Sequence, residues 1–596
     1  MTTYKAPLRD MRFVLHEFLH LEKYANLPGF SDAPPDIVDA ILEEGAKVAE
    51  QVLHPLNMVG DQDGCRFDNG QVTTPPGFAD AYKTYVEGGW SGLTASPEYG
   101  GQGLPHVLGL AFNEMAISAN LSFAMYPGLT DGAVAAIETH GSDDQKQTYL
   151  PKLISGTWSG TMNLTEAHCG TDLGLMRTKA EPAENGSYRI TGTKIFISSG
   201  EHDLTENIIH LVLAKIPGGP EGIKGVSLFI VPKVLVGDDG ALGERNAVSC
   251  GAIEEKMGIH GNSTCVMNYD GATGYLVGEP HKGMRAMFTM MNAARLGVGL
   301  QGLAIAETAY QNAVVYANER LQGRALSGPK APDKPADPII VHPDVRRMLM
   351  ETRAFTEGAR ALAYWTGVQI DLSLRDPDEG VRERAGDLVA LLTPVIKAYF
   401  TDKGFEAANL AQQCYGGHGY IREWGMEQFV RDARITQIYE GANGIQALDL
   451  VGRKLAANGG RAVRLLFETV ERFCKDNADD DDMAPFITPL GAALKDLQAA
   501  TMWFVENAMT NPDNAGAGSM DYLYLMALVS LGYIWAQTAK AAQEKLADGT
   551  EDAAFYQNKL VTARYYMERR MPDAPAHLAR IRAGSETVMA LAAEVF

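Results

Sequence analysis

Apolar residues recur at intervals of three and four through DIVDAILEEGAKVAEQVLHPL and again through LGLAFNEMAISANLS, which predicts helices over most of the first quarter of the chain. A Gly/Pro-rich loop, ASPEYGGQGLP, separates them. Near residue 156 the pattern changes to short runs rich in Val, Ile, Thr, Tyr and Phe, among them YRITGTKIFIS, NIIHLVLAK, GVSLFIVPKV and STCVMNYD, each bounded by Gly, Asn or Asp. These predict an antiparallel β domain. Helical periods then return and lengthen. MFTMMNAARLGVGLQGLAIAETAYQNAVVYANERL is apolar almost all round, as a helix buried in a bundle is, and two further long segments with Pro or Gly boundaries continue a four-helix bundle closing near Leu455. The linker AANGGR and the acidic KDNADDDD frame a last region of about four helices. The expectation is an α+β chain with an N-terminal arm over 1–34, a helical domain over 35–155, a middle β domain over 156–280, a helical bundle over 281–455 and an additional helical domain over 461–596.

Size agrees with several domains, because 596 residues far exceed the length at which one core keeps growing. A content of 46% hydrophobic and 21% charged residues excludes wholesale disorder. The net charge of -22 offers no basic face for a phosphate backbone, which argues against nucleic acid as a partner. Cys65, Cys169, Cys250, Cys265, Cys414 and Cys474 are scattered without a C-x-x-C pair, as reduced cytoplasmic thiols are. The opening MTTYKAPLRDMRF has neither the apolar core of a signal peptide nor the make-up of a transit peptide, so a cytoplasmic protein is expected. The most apolar run, YLYLMALVSLGYIWA, is shorter than the roughly 18 to 20 residues of a membrane span and predicts a buried helix.

Among local motifs, HEFLH (His16–His20) matches the H-E-x-x-H zinc pattern. A catalytic zinc also needs a third ligand and a cleft, whereas this pair lies on an amphipathic arm, so no metal is expected. GGQG and GGHG are neither a dinucleotide fingerprint nor a Walker A loop, and no G-x-S-x-G elbow occurs.

Two strand-and-loop pieces, MNLTEAHCGTDLGLMRTKAE and TGTKIFISSGEHD, resemble the flavin-binding strands of the acyl-CoA dehydrogenase family, whose usual forms are T-E-P-G-A-G-S-D and G-x-K-x-[WF]-I-[ST]-[NS]-G. KMGIHGNST, VGEPHKGM, NERLQGR, QCYGGHGY and VRDARITQIYEG extend the resemblance in the family's order over about residues 35 to 455. The resemblance implies FAD as cofactor. Leu164 and Thr165 match contacts to the flavin ring, Gly170 and Thr171 contacts to the pyrophosphate, Phe196 an aromatic packed on the ring and Ser198 a hydroxyl near N5. Arg320, Gln322, Gln413 and Gly417 match groups that the family supplies from a neighbouring subunit to the diphosphate and ADP part. The chain departs from the pattern at EAHCGTD, at Phe196 where many members have Trp, and at Ala442 and Gly444 after the acid of IYEGANGIQ.

That acid, Glu440, matches the family's catalytic base, which takes the α-proton of an acyl-CoA thioester while the β-hydride passes to flavin N5. A thioester α-hydrogen is too weak an acid for a solvated carboxylate, so the base must be desolvated and the thioester oxygen held by donors. The helical tail and the N-terminal YKAPLRDMRFVLHEFLHLEKY resemble a C-terminally extended bacterial branch that includes an enzyme of dimethylsulfoniopropionate breakdown. The resemblance therefore implies a methylthio-propionyl thioester as substrate, with medium- or long-chain fatty acyl-CoA as the alternative and a non-catalytic acyl-CoA-binding member as a third reading. It further implies electron-transferring flavoprotein as acceptor and a homodimer. Phe123, Met125 and Tyr126 are candidate acyl-pocket residues.

Overall fold

The computed structural model describes residues 2–237 and 239–596, and the chain forms two compact units: residues 44–104 with 115–297, and residues 1–43 with 105–114 and 298–596. Helices α1 (Pro35–Lys47), α2 (Phe78–Glu87), α3 (His106–Ala119), α4 (Leu121–His140) and α5 (Asp143–Ile154) precede the strands. α5 starts at a capping box in which Ser142 and Gln145 satisfy each other's backbone N–H. Phe123, Met125 and Tyr126 of α4 are core residues at 0%, 7% and 1% exposure. Phe123 packs against Phe78, Tyr82 and Tyr85, and the Tyr126 hydroxyl donates to Gly261 O, so these side chains build the first of the two units.

Seven strands form its sheet: β1 (Trp158–Asn163), β2 (Lys179–Pro182), β3 (Tyr188–Ser198), β4 (Asn207–Lys215), β5 (Val226–Pro232), β6 (Val248–Ile253) and β7 (Thr264–Val277). The order is β6-β7-β3-β2-β4-β1, and β5 pairs with both β7 and β4. Most neighbours are antiparallel as the pattern predicts, but β1 runs parallel to β4 from Trp158↔Asn207 to Asn163↔Val212, and β2 meets β4 in parallel at Lys179↔Lys215. Burial explains the difference: β4 is buried along all but its last residue and β1 along all but Met162, which is the environment parallel pairs need.

Two histidines are sealed in this unit. His202 bonds Ser159 Oγ at 2.9 Å and His210 bonds Thr161 Oγ1 at 2.7 Å, both at 2% exposure or less. Burial, reinforced by the nearby Lys233 ammonium, pushes each imidazole down to about 3. Because the folded value lies below the ordinary 6.5, the unfolded chain binds protons that the folded chain refuses between those limits, and stability falls as pH drops through that window. Each histidine is expected to cost about 2 kcal/mol between pH 6.5 and pH 5. Unfolding by urea at both pH values, in wild type and in His210→Gln, checks this; an equal acid loss in the two proteins would contradict it.

The other unit carries the bundle. α6 (Gly283–Glu319, belonging to this unit from Val298), α7 (Pro343–Arg375) and α8 (Glu379–Cys414) are long and apolar-faced. α6 and α8 touch backbone to backbone, since a Cβ at Gly302 would lie 2.2 Å from Phe400 O and one at Gly404 2.4 Å from Gly302 O. The fourth position of the bundle is broken into α9 (Met426–Arg434) and α10 (Asn443–Asp449), with Glu440 in the break. Beyond it the last domain has five α-helices where the pattern predicts about four: α11 (Arg461–Asp476), α12 (Ala484–Asn507), α13 (Pro512–Ala547), α14 (Ala553–Arg569) and the short α15 (Ala574–Arg582). YLYLMALVSLGYIWA lies within the buried α13, and among the described residues no helix is long and apolar enough to cross a membrane.

The HEFLH arm is not a regular α-helix. Phe13–Phe18 is a π turn, and His20 stands beyond it in the left-handed region at φ 50. The two imidazoles therefore do not share one helical face: His16 Nε2 lies 3.1 Å from Asp39 Oδ1 and His20 Nδ1 3.5 Å from Glu22 Oε1.

Candidate active site

In the sheet-bearing unit, β1 runs straight into Leu164 and Thr165, and β3 carries Phe196 and Ser198. Ile195 N–H donates to Thr165 O at 2.9 Å, so the two motifs lie side by side. Lys194, fully buried, donates from Nζ to Leu164 O at 2.9 Å and to Glu166 Oε1 at 2.9 Å. Glu166 also accepts from the backbone N–H of Arg177 and Thr178 and from the Thr178 hydroxyl, at 2.6 to 3.0 Å. Burial pushes its carboxyl up, but the Lys194 charge and these donors outweigh burial and hold it at about 2. The turn after Glu166 is closed by paired backbone bonds with Cys169, and Gly170 and Thr171 follow it in the open.

Phe196 departs from strand geometry. Its φ is 59, and it lies where the β3–β7 register slips between Cys265 and Met267. A bulky residue at positive φ is a strained one. Phe196 is 60% exposed beside the half-buried Ser198, an apolar plate next to a hydroxyl and a short open loop. Such a surface suits a flat heteroaromatic ring with a trailing diphosphate.

In the bundle unit, Arg320 and Gln322 follow the end of α6, while Gln413 and Gly417 lie at and after the end of α8. All four are exposed. The two segments are joined by aromatic packing: Tyr316 stacks on Tyr415 at 4.0 Å between centroids, and its hydroxyl bonds His418 Nδ1 at 2.8 Å. Asp337, fully buried, shapes the loop after Gln322 by accepting from the N–H of Ala325, Lys330 and Ala331 and from Arg324. No side chain stands within 4 Å of a Cβ placed on Gly417, so its backbone is open to a ligand.

Glu440 lies between Tyr439 and Gly441 with φ 56, and Gly441 follows at φ 86. Its side chain is half-buried. Tyr439 donates its hydroxyl to Gln301 Oε1, and burial followed by the Glu440 charge pushes that phenol well up, so it stays protonated. Gln446 Nε2 donates to Glu440 O and to Gly441 O, both at 3.2 Å. The fully buried Lys397 of α8 donates to Gly441 O and to Asn443 Oδ1, both at 2.8 Å.

The sequence reading missed Lys194, Glu166, Asp337, Lys397 and Gln446. A signal existed for one of them: Lys397 is a single cation within LLTPVIKAYF, a run that is otherwise uncharged, and residues 391–401 are all buried. The others show themselves only through partners.

Family models match almost the whole chain: acyl-CoA dehydrogenase N-terminal domain over 39–157, middle domain over 161–272 and C-terminal domain over 281–455, then an acetyl-CoA dehydrogenase C-terminal-like domain over 466–592. Among curated proteins, the chain is 44% identical to 3-methylmercaptopropionyl-CoA dehydrogenase of Ruegeria pomeroyi, covering 97% of this chain and 98% of that one. It is 34% identical to a butyryl-CoA dehydrogenase of Syntrophomonas wolfei, covering 100% and 99%. Its fold is similar to that of Caenorhabditis elegans ACDH-11 solved with C11-CoA, with a TM-score of 0.79 at 18% identity over 98% of this chain and 95% of that one. With the matched domains in this order and the acid of IYEGANGIQ at the break in the bundle, the chain belongs to the acyl-CoA dehydrogenase family.

Proposed function

We propose that this protein is an FAD-dependent dehydrogenase of 3-methylmercaptopropionyl-CoA, forming the 2,3-unsaturated thioester 3-methylthioacryloyl-CoA. The observation that carries the reading is Glu440: a half-buried carboxylate on strained backbone, followed by a glycine, in the break between α9 and α10. One relative favours the substrate: the R. pomeroyi enzyme bears that name and matches over nearly its full length. In the proposed reaction Glu440 removes the α-proton and ends protonated. Its own backbone N–H donates to the thioester oxygen as negative charge develops there, and Tyr439 helps to exclude water. Leu164, Thr165, Phe196 and Ser198 would hold the isoalloxazine, Gly170 and Thr171 the diphosphate. Arg320, Gln322, Gln413 and Gly417 would serve the diphosphate and ADP part of a second copy's FAD, which is why their exposure in one chain supports a homodimer. The flavin, when bound, supplies a two-electron acceptor for the β-hydride. We place the enzyme in the cytoplasm, on its cysteine usage, with electron-transferring flavoprotein as its oxidant.

One methylene more or less in an apolar pocket is worth about 1 to 3 kcal/mol, and the butyryl, octanoyl and palmitoyl chains all differ in length from the methylthio-propionyl chain. The expected result of a kcat/KM panel is therefore a lead of about 10-fold or more for 3-methylmercaptopropionyl-CoA over butyryl-, octanoyl- and palmitoyl-CoA. A fatty acyl-CoA in the lead would transfer the assignment to the fatty-acid reading, toward which the S. wolfei relative points.

A further inference from the structure

Glu440 adopts a backbone conformation that costs free energy, and such a residue persists only where its surroundings over-determine it. The surroundings converge on one face of α8. Asp402 Oδ1 accepts from Gln437 Nε2 at 2.7 Å and from Asn443 Nδ2 at 2.7 Å, so one carboxylate grips the loop on both sides of Glu440. Asn443 Nδ2 also reaches Thr401 Oγ1 at 2.9 Å and Ala398 O at 3.1 Å, while Lys397 pins Gly441 O between these anchors. The other oxygen of Asp402 is held from outside the bundle: Tyr524 of α13 donates its hydroxyl to Oδ2 at 2.7 Å. Burial, and next the Asp402 charge, push the Tyr524 phenol well up, which keeps that proton on the donor. α10, which begins at Asn443, packs along the same α13.

We propose that Asp402 is a positioning residue for the base at Glu440, and that the C-terminal helical domain takes part in catalysis by fixing it through Tyr524. The proposal rests on the reading of Glu440 as base. A carboxylate that receives donors from three different segments has one orientation, and that orientation sets where the loop can lie. Without the Tyr524 hydroxyl, Asp402 can rotate and release either Gln437 or Asn443. A misplacement of the base by about 1 Å costs on the order of 100-fold in rate.

The test uses the full-length holoenzyme with Tyr524→Phe, which removes a single oxygen, and Asp402→Asn, which replaces one of the two acceptor oxygens with a donor. The reductive half-reaction is followed by stopped flow with α-protiated and α-dideuterated substrate, and enoyl-CoA product binding is measured by the shift of the flavin spectrum. The expected result is that flavin reduction slows about 10-fold in Tyr524→Phe and about 100-fold in Asp402→Asn, with a larger α-deuterium isotope effect and unchanged product binding. Reduction at the wild-type rate in both variants overturns the proposal. So does a loss of product binding or flavin content that runs parallel to the rate, because the contact would then serve stability alone. Glu440→Gln tests the underlying reading separately: if it reduces flavin normally, the base is misassigned whatever Tyr524 does.

Discussion

Glu440→Gln is expected to bind FAD and acyl-CoA as the wild type does and to reduce its flavin at least about 1,000-fold more slowly. A positioned general base contributes about 10² to 10⁴ in rate, and the α-proton of a thioester places the demand at the upper end. The substitution keeps volume and polarity, and Gln446, Lys397 and Asn443 act on the backbone and neighbours of residue 440, so the loop keeps its anchors. Rapid mixing under anaerobic conditions measures the rate, and the spectral shift on binding shows that the site is intact. A variant that fails to bind ligand would point to a structural carboxylate, and one that reduces at the normal rate would leave the reaction without its base.

The second large effect is expected at Arg360, far from that loop in sequence. Its guanidinium is 1% exposed on α7 and serves three carboxylates: Glu114 from Nε at 2.8 Å, Glu307 from Nη2 at 2.9 Å, and Asp10 of the N-terminal arm. Lys559 of α14 shares Asp10 and adds Glu357 at 2.7 Å, so the arm, the bundle and the C-terminal domain meet in one buried ion network. Removing one partner leaves buried charge uncompensated. Arg360→Met is expected to lose about 3 to 5 kcal/mol of stability, although replacing a whole buried network by apolar residues is often neutral. The loss also has a pH signature. Burial already pushes the Glu114 carboxyl up against the pull of Arg360, and without Arg360 it rises further. The folded variant then holds a proton that the unfolded chain releases above its ordinary carboxyl value, so the deficit deepens as pH rises. Urea unfolding across pH and tryptic release of the arm near Arg9 and Arg12 check this; an unchanged midpoint with a protected arm would contradict it.

What the sequence made legible follows from how local each signal is. The helices and strands announce themselves by period, and Glu440, Phe196 and Ser198 stand in motifs a few residues long. The parallel pairing of β1 with β4 was hidden because strands buried on both faces show no alternation from which direction could be read. The π turn in the arm was hidden because HEFLH has an ordinary helical spacing, and only the left-handed His20 reveals that the two imidazoles diverge. The contacts that support the candidate residues were hidden for a different reason. Tyr524 meets Asp402 across 122 positions, and Lys194 meets Glu166 across 28, so each looks like a solvated polar residue until its partner is in place.

The most direct test of the account is an anaerobic titration of the oxidised holoprotein with one equivalent of 3-methylmercaptopropionyl-CoA, with flavin absorbance recorded beside a Glu440→Gln control. The account expects the wild-type flavin to bleach and the unsaturated thioester to form, while the control stays oxidised. A wild-type flavin that stays oxidised with this thioester and with butyryl-, octanoyl- and palmitoyl-CoA would contradict the assigned reaction, and a control that bleaches as fast as wild type would contradict the role of Glu440.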